Sequence, residues 1–197
     1  MAETRMAVFG ATGGIGSELS RLLVRSGHGV VLVGRDPAGL GSLSSELGCP
    51  AHEVDAIDAE AVESVLRAIV ERHGRLDGVA NCVGSLLLKP AHLTSPDDWR
   101  RTLDTNLGSA CAVVRGAGRV MKDGGSVVLV SSAAARLGLP NHEAIAAAKA
   151  GVEGLMRSAA STYASNNLRC NAVAPGLVRT PLTERITSNE SAARSSE

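Results

Sequence analysis

The chain has 197 residues, which is enough for one domain with a substantial core and leaves little room for a second domain. Its 20 basic residues balance 20 acidic ones, so the charge gives no reason to expect nucleic acid or an anionic membrane as a partner. The aromatic residues are few, namely Phe9, Trp99 and Tyr163, so the core must rest on Val, Leu, Ile and Ala.

The N-terminal residues lead directly into an apolar segment, without the basic region, apolar stretch and cleavage site of a signal peptide. No apolar run approaches the roughly 20 residues that a membrane helix needs. We therefore expect a soluble, cytoplasmic protein. The chain has four widely spaced cysteines without a C-x-x-C pair, at Cys49, Cys82, Cys111 and Cys170. We expect these to be buried thiols, and neither a zinc site nor a disulfide framework.

Short apolar runs rich in Val and Leu alternate with longer segments of helical period, a pattern typical of parallel strands joined by crossover helices. Six strands are predicted, at Met6–Phe9, Val30–Gly34, Ala51–Val54, Leu76–Ala80, Ser126–Ser131 and Leu168–Ala174. The alternation predicts an α/β fold, a Rossmann-type doubly wound parallel sheet with helices on both faces. We expect residues 1–186 to form a single domain and residues 187–197, rich in Ser, Glu and Ala, to be a mobile tail.

Two predicted helix starts carry capping signals. Asp36 followed by Pro37 fits an N-cap with proline at the first helical position, and Ser95 is followed three residues later by Asp98, as in a capping box. Two long helices are predicted, from about Ser95 to Met121 and from about Asn141 to Ala164.

A glycine-rich turn follows the first predicted strand and opens a helix. Its sequence is Gly10-Ala11-Thr12-Gly13-Gly14-Ile15-Gly16. Glycine permits a tight turn and a close approach of backbone N–H groups to a pyrophosphate, whose charge the helix N-terminus also favours. The glycines alone would fit an ordinary turn. Their strand–turn–helix setting favours dinucleotide binding.

Unusual residues follow the other strands as well, at the edge where ligands of an open parallel sheet bind. After the second strand comes Arg35, which suits the 2′-phosphate of NADP, whereas an acid there suits the ribose hydroxyl of NAD. A solvated Arg35 and a ribose contact from Asp36 remain open alternatives. The remaining strand ends carry Asp55, Asn81-Cys82-Val83-Gly84, Ser131-Ser132 and Asn171–Gly176. Each alone fits a turn, but together they indicate a binding site.

From about Arg5 to Thr183 these residues resemble the classical short-chain dehydrogenase/reductase family. Its G-x-x-x-G-x-G loop matches Gly10, Gly14 and Gly16, although Gly13 also allows the G-x-x-G-x-x-G pattern of the extended branch. Phe9 stands where the family usually has threonine. The resemblance implies these cofactor-binding residues: Gly10, Thr12, Gly13, Gly14, Ile15, Gly16, Arg35, Asp55, Asn81, Gly84, Lys149, Pro175, Gly176, Val178 and Thr180.

The resemblance also implies where parts of the cofactor lie. Asp55 would meet the adenine, the segment Asn81–Gly84 would support the central strand, and Pro175–Thr180 would hold the nicotinamide end. Val178 would contact the carboxamide through its backbone, and Thr180 would lie near the diphosphate. The implied cofactor is NADP, with NAD less favoured, and no metal is implied.

The family's catalytic tetrad is Asn, Ser, Tyr and Lys, and this chain lacks the tyrosine. Asn106, Ser132 and Lys149 match three of the four, but Ile145 stands four residues before Lys149, where the tyrosine belongs. The alignment is fixed from both sides, because Ser132 precedes Ile145 by 13 residues and Pro175 follows it by 30, as in the family. Ile145 can neither donate a proton nor bind the substrate oxygen.

His142 is a candidate for the missing acid–base role. On a helix, positions 142, 145 and 149 share one face, so His142 could approach the same pocket as a proton donor. The alternative is a partly exposed histidine in the first helical turn. Lys149 could bind the nicotinamide ribose without any proton transfer, and its alternative is an ordinary surface lysine.

The sequence therefore predicts an NADP(H)-dependent short-chain oxidoreductase that interconverts a carbonyl and a secondary alcohol, with an altered or impaired acid–base step. The alternative is a non-catalytic NADP-binding protein that serves sensing or assembly. The resemblance further implies a small-molecule substrate and a homodimer or homotetramer. Family members usually continue with a substrate-covering segment, so either Glu197 is the natural terminus and the sixth strand is an edge, or that segment is not included here.

Overall fold

The structure, a computed structural model, describes residues 4–188. One parallel sheet contains six strands: β1 (Arg5–Phe9), β2 (Gly29–Gly34), β3 (Ala51–Glu53), β4 (Gly78–Asn81), β5 (Gly125–Val130) and β6 (Leu168–Val173). Their order across the sheet is β3-β2-β1-β4-β5-β6. The chain reverses direction across the sheet between β1 and β4, and this reversal opens a crevice at the carboxyl ends of the strands. The predicted doubly wound Rossmann-type fold is confirmed.

Seven α-helices occur within residues 4–188: α1 (Gly14–Arg25), α2 (Pro37–Leu47), α3 (Ala59–His73), α4 (Pro96–Leu103), α5 (Ser109–Val120), α6 (Glu143–Thr162) and α7 (Glu184–Thr187). The core has two layers because helices cover both faces of the sheet. On one face, Val8 and Leu32 pack with Leu40 of α2 and with residues of α1. On the other face, Phe9 and Val127 belong to the larger cluster built with α3, α5 and α6. All six residues of β2 are buried, as expected for a strand covered on both sides.

The predicted helix from Ser95 to Met121 is present, but a π-helical turn at Asp104–Gly108 divides it into α4 and α5. Ser95 caps α4 as predicted, since its hydroxyl accepts a hydrogen bond of 3.1 Å from the Asp98 backbone N–H. Asp36 precedes α2 as predicted, but its side chain makes no capping hydrogen bond.

The second long helix begins later than predicted, at Glu143. Asn141 has a φ of 62°, in the left-handed region, so it cannot belong to a right-handed helix. His142 therefore occupies the N-cap, and its predicted position in the first helical turn is wrong. The helix also ends earlier than predicted, at Thr162, and a short 3-10 turn at Ala164–Asn166 follows it.

The predicted tail begins with an ordered residue, because Thr187 is the last residue of α7. Residues 189–197 of that tail lie outside the described residues. No helix between residues 4 and 188 is long and apolar enough to cross a membrane.

None of the four cysteines forms a disulfide bond. Cys49 and Cys170 are buried and Cys82 is half-buried, but Cys111 is exposed, so the expectation of buried thiols is wrong for Cys111. The part of the chain that the structure describes contains no cluster of three or more metal-ligating side chains.

Candidate active site

The glycine-rich turn after β1 is held by contacts that only glycine permits. Gly10 has a φ of 71°, and its carbonyl accepts a hydrogen bond of 3.0 Å from the Gly13 N–H. A Cβ atom at Gly16 would lie 2.1 Å from the Gly10 carbonyl oxygen, so the start of α1 packs directly on the turn. Because the N-cap residue is Gly13, no side chain caps α1, and its first backbone N–H groups are free to bind an anion. This end of the helix fits a pyrophosphate.

Gly14 lies against the segment that follows β6. A Cβ atom there would lie 2.7 Å from Cβ of Thr180, so even the smallest side chain would displace Thr180. The sequence led us to expect that Gly14 leaves space for the pyrophosphate. In the structure the space at Gly14 is filled by Thr180, which brings the two cofactor-binding segments together.

A cavity of about 270 Å³ lies between the glycine turn and the end of β2. Thr12, Gly13, Arg35 and Asp36 line it together with Gly84. The Arg35 guanidinium lies 3.5 Å from the Asp55 carboxylate, and both side chains are exposed at the mouth. Arg35 thus stands exposed at the edge of this cavity, paired with a carboxylate that is itself open to solvent.

Four of the predicted cofactor-binding residues line neither this cavity nor the deeper one described next: Gly14, Gly16, Asp55 and Asn81. Asn81 is buried, and its amide is fully engaged by the protein. Its Nδ2 donates to the Ser109 hydroxyl at 3.1 Å, and its Oδ1 accepts from the Val83 N–H at 3.2 Å. Asn81 thus supports the end of β4 from within, as the family resemblance implies for its segment.

The deeper cavity, of about 150 Å³, contains three of the four tetrad positions together with Ile145. We call it the inner cavity. Asn106, Ser132, Ile145 and Lys149 line it. Besides Lys149, six predicted cofactor-binding residues also line it, namely Ile15, Gly84, Pro175, Gly176, Val178 and Thr180, together with Cys82, Val83, Ser85, Leu86, Val130, Ser131, Leu182 and Thr183. The predicted catalytic and nicotinamide-end residues therefore meet at one place.

Asn106 lies in the π-helical turn between α4 and α5, where its amide is held by three hydrogen bonds. The Nδ2 group donates to the Ser85 hydroxyl at 3.0 Å and to the Thr102 carbonyl at 2.9 Å. The Oδ1 atom accepts from the Ser85 N–H at 3.2 Å and lies 3.1 Å from the position of a Cβ atom at Gly84. Wider helical turns of this kind are common at functional sites, because they direct one side chain inward.

Lys149 is a buried lysine, with 7% of its surface exposed. Its ammonium group donates a hydrogen bond of 2.7 Å to the carbonyl of Val130, the last residue of β5. Burial lowers the pKa of Lys149 from 10.5 to about 8, because the charged form loses its hydration. Burial raises the pKa of the nearby Cys82 thiol to about 11, against the opposing effect of the Lys149 charge. The interpretation of Lys149 as an ordinary surface lysine is wrong.

Ser132 and Ile145 form a wall between the inner cavity and a second cavity of about 110 Å³, which we call the outer cavity. The Ser132 oxygen accepts a hydrogen bond of 3.2 Å from the Ala134 N–H, so its own proton is available to a ligand. Ile145 is 3% exposed and presents only carbon atoms to both cavities. No phenol lies between the serine and the lysine.

His142 lines the outer cavity and not the inner one. Its Nδ1 atom lies 2.7 Å from the Pro140 carbonyl oxygen. Because a carbonyl oxygen only accepts hydrogen bonds, Nδ1 is the protonated ring nitrogen and donates. In the neutral ring Nε2 is then the free acceptor. The structure brings His142 to the same wall as Ser132 and Ile145, from the side opposite Lys149.

Gly176, a predicted cofactor-binding residue, also lines the outer cavity, but these lining residues were not named as site residues from the sequence: Leu86, Ala133, Ala134, Leu137, Leu139, Leu177, Thr183 and Ile186. Several of them come from the segment directly after Ser132, and others from the segment after Pro175. Proximity in sequence to two predicted site segments is the signal that would have identified them. The sequence does not show which of these leucines turn inward.

The chain is similar to known proteins over most of its length. The family model described as "Enoyl-(Acyl carrier protein) reductase" matches residues 10–197. The chain is 35% identical over 190 residues to a 3beta-hydroxysteroid dehydrogenase of Mediterraneibacter gnavus, covering 93% of this chain and 69% of that protein. It is 36% identical over 189 residues to a cis-4-hydroxycyclohexanecarboxylate dehydrogenase of Sinomonas cyclohexanicum, covering 92% of this chain and 76% of that protein.

The fold is also similar to that of a solved short-chain dehydrogenase/reductase. A short-chain type dehydrogenase/reductase from Mycobacterium ulcerans superposes with a TM-score of 0.94 at 31% identity. The superposition covers 98% of this chain and 74% of that protein. The chain therefore spans about two thirds to three quarters of the length of these three proteins.

The lowered pKa of Lys149 predicts how stability changes with pH. Below about pH 8 the lysine is charged in both the folded and the unfolded chain, and the folded state bears the full cost of its burial. Between about pH 8 and 10.5 the folded state loses the proton while the unfolded chain keeps it, so stability rises with pH. The free energy of unfolding of the parent, minus that of Lys149→Met, should increase by roughly 2 kcal/mol from pH 7 to 10. Urea unfolding at both pH values measures it, and a constant difference would contradict the desolvation of Lys149.

Proposed function

The chain belongs to the classical short-chain dehydrogenase/reductase family, and we propose that it is an NADP(H)-dependent oxidoreductase that interconverts a carbonyl and a secondary alcohol. The observation that carries the proposal is the inner cavity. Asn106, Ser132 and Lys149 line it together with Ile15 and Thr180, which belong to the two cofactor-binding segments. Catalytic side chains and cofactor segments thus face the same space.

The residues at the rim fit NADP(H), which would supply or accept the hydride when bound. The uncapped N-terminus of α1 would hold the pyrophosphate. Arg35 would exchange its ion pair with Asp55 for the 2′-phosphate, which carries more charge than a single carboxylate. Lys149 would bind the nicotinamide ribose, because the ammonium uses one donor on Val130 and has two more.

The outer cavity supports an uncharged, lipophilic carbonyl compound as substrate. Apart from His142, none of its lining residues is ionisable, and most of them are aliphatic. A buried carboxylate would find no arginine or lysine to pair with there, and a buried charge without such a partner is costly. Of the two relatives compared above, the 3beta-hydroxysteroid dehydrogenase bears the name that suits such a cavity better than the hydroxycyclohexanecarboxylate dehydrogenase does. We therefore propose a neutral alicyclic ketone and its alcohol, and a steroid would place only its reacting ring in a cavity of about 110 Å³.

The acid–base step would differ from that of tyrosine-containing relatives. Ser132 would donate its hydrogen bond to the substrate oxygen, but Ile145 has no proton to give. In alcohol oxidation Nε2 of His142 would accept the hydroxyl proton, while the Pro140 carbonyl holds Nδ1–H and fixes the ring. In ketone reduction the imidazolium would return that proton. Positioned acid–base help is worth about 10²–10⁴ in rate, so a displaced donor makes the enzyme slow.

A non-catalytic NADP-binding protein is the second candidate. The buried position of Ile145 favours it, because an aliphatic side chain fills the space where the proton donor of the reaction belongs. Every cofactor contact proposed above would survive in such a protein. Turnover, and not cofactor binding, separates the two functions.

Arg35 should determine the choice of cofactor. We expect the parent to bind NADPH about tenfold or more tightly than NADH, because a charged hydrogen bond to the 2′-phosphate adds to the common contacts. Arg35→Ala should remove most of this preference and leave NADH binding nearly unchanged. Calorimetric titration measures both, with Arg25→Ala at the far end of α1 as a control for lost positive charge. Equal affinities in the parent would contradict the role of Arg35.

Restoring the phenol should raise the rate. Ile145→Tyr places a hydroxyl between Ser132 and Lys149, and carbonyl reduction should increase by about an order of magnitude or more. Ile145→Phe is the matched control, since it adds the ring without the proton donor and should give no increase. NADPH oxidation with a panel of neutral cyclic ketones measures the effect. If Ile145→Tyr folds, binds NADPH as the parent does and reduces none of the panel, the oxidoreductase proposal fails.

His142 can be tested in the parent by its removal. His142→Ala should lower turnover by about 10²-fold or more while leaving the Kd for NADPH unchanged, since His142 lines the outer cavity alone. In the Ile145→Tyr background the same substitution should have a much smaller effect, because the phenol then supplies the proton. Equal turnover of His142→Ala and the parent would leave the histidine without a catalytic role.

A further inference from the structure

Glu153 is a buried carboxylate, 6% exposed, that has no part in the proposed mechanism. It lies on α6, one turn after Lys149. Its Oε2 atom accepts a hydrogen bond of 2.9 Å from Nε of Arg136 and lies 3.8 Å from Nη1 of Arg157. Its Oε1 atom lies 3.2 Å from the hydroxyl of Ser131, which also lies 3.2 Å from the Lys149 carbonyl. The Glu153 carboxylate thus contacts both Ser131, directly after β5, and Arg136, in the segment that follows.

Arg136 belongs to the segment of residues 133–139, which we call the cavity-wall segment. This segment directly follows Ser132, and its Leu137 and Leu139 side chains line the outer cavity. Backbone hydrogen bonds hold its first turn, from Ala133 N–H to Pro175 at 2.9 Å and from Leu137 N–H to Ala133 at 3.0 Å. The contact of Arg136 with Glu153 fastens the same segment sideways to α6.

We propose that the Arg136–Glu153 pair fixes the wall of the substrate cavity, so that Arg136 is a positioning residue that determines how well the cavity accepts a lipophilic ketone. The inference rests on the proposed function and deepens it. Neither residue of the pair lines either cavity, although Glu153 contacts Ser131 of the inner cavity. The backbone N–H groups of Ala133 and Ala134 bind Pro175 and Ser132 without the pair, so the start of the segment is held independently. The pair therefore acts on substrate binding through Leu137 and Leu139, and not on the acid–base step or on NADP(H).

The charge of Glu153 strengthens its hydrogen bond with Arg136, and this bond holds the cavity-wall segment. A buried carboxylate must be paired, because its hydration is lost on folding. The Arg136 hydrogen bond holds the pKa of Glu153 below its usual value in spite of burial, so the carboxylate is charged at neutral pH. The planar guanidinium donates in a fixed direction, which a lysine ammonium would not reproduce.

Arg157 provides an internal control. It also pairs with Glu153, at 3.8 Å, and its side chain is about as exposed as that of Arg136, at 64% against 72%. It lies on α6 itself, four residues after Glu153, and so helps to neutralise the carboxylate without reaching the cavity-wall segment. Loss of either arginine removes one positive charge beside Glu153. Only the loss of Arg136 releases the wall.

The test compares Arg136→Met, Arg157→Met and Arg136→Lys in the full chain. Both methionine variants change an exposed side chain and should fold. For reduction of a neutral cyclic ketone we expect Arg136→Met to raise KM on the order of tenfold, with kcat and the Kd for NADPH close to those of the parent. Arg157→Met should change KM little, and Arg136→Lys should restore part of the loss.

Hydrogen exchange, followed by mass spectrometry, gives a readout that needs no turnover. Amides of residues 133–139 should exchange faster in Arg136→Met than in the parent or in Arg157→Met. Equal effects of both methionine variants, on KM or on exchange, would overturn the proposal, as would faster exchange with an unchanged KM. If faster exchange is confined to Arg136→Met but no variant and no parent turns over any ketone, the wall is fixed as described and the proposed function itself fails.

Discussion

The hydrogen bond from the Lys149 ammonium to the Val130 carbonyl joins α6 to the end of β5, and the rest of the site depends on it. A lysine buried this deeply needs hydrogen-bond partners, and the carbonyl at the strand end accepts from one of its three donors. The bond fixes the rotation of α6 about its axis. Ile145, one turn earlier, then faces Ser132, and Glu153, one turn later, faces Ser131. One contact thus sets the positions of the catalytic wall and of its support.

The replacement of tyrosine by Ile145 changes the chemistry of the site more than its shape. The isoleucine is packed as a core residue would be, and the buried lysine and the serine line one cavity with it. The lost group is a single proton donor. An apolar wall beside an apolar outer cavity also favours lipophilic compounds, which agrees with the proposed substrate class.

Local patterns in the sequence predicted most of the fold. All six strands lie where the apolar runs indicate them, within two residues at each end, and Ser95 caps its helix as the capping rule predicts. Asn106, Ser132 and Lys149 meet in one cavity, as motif spacing implied. These features depend on neighbours close in sequence, or on the rule that parallel strands end at the same edge of a sheet.

The features that the sequence did not reveal depend on residues distant in the chain. The left-handed backbone at Asn141 moved the start of α6 and placed His142 at the N-cap, outside the helical periodicity on which its predicted position relied. The contact of Gly14 with Thr180 joins segments that are far apart in the sequence. By itself the sequence determined the fold, because the periodicity of strands and helices is local, and its resemblance to the family implied the cofactor segments and the missing tyrosine. Only the tertiary structure decided which leucines line the outer cavity and that Arg136 reaches Glu153, because such contacts form only when helices and loops pack against the sheet.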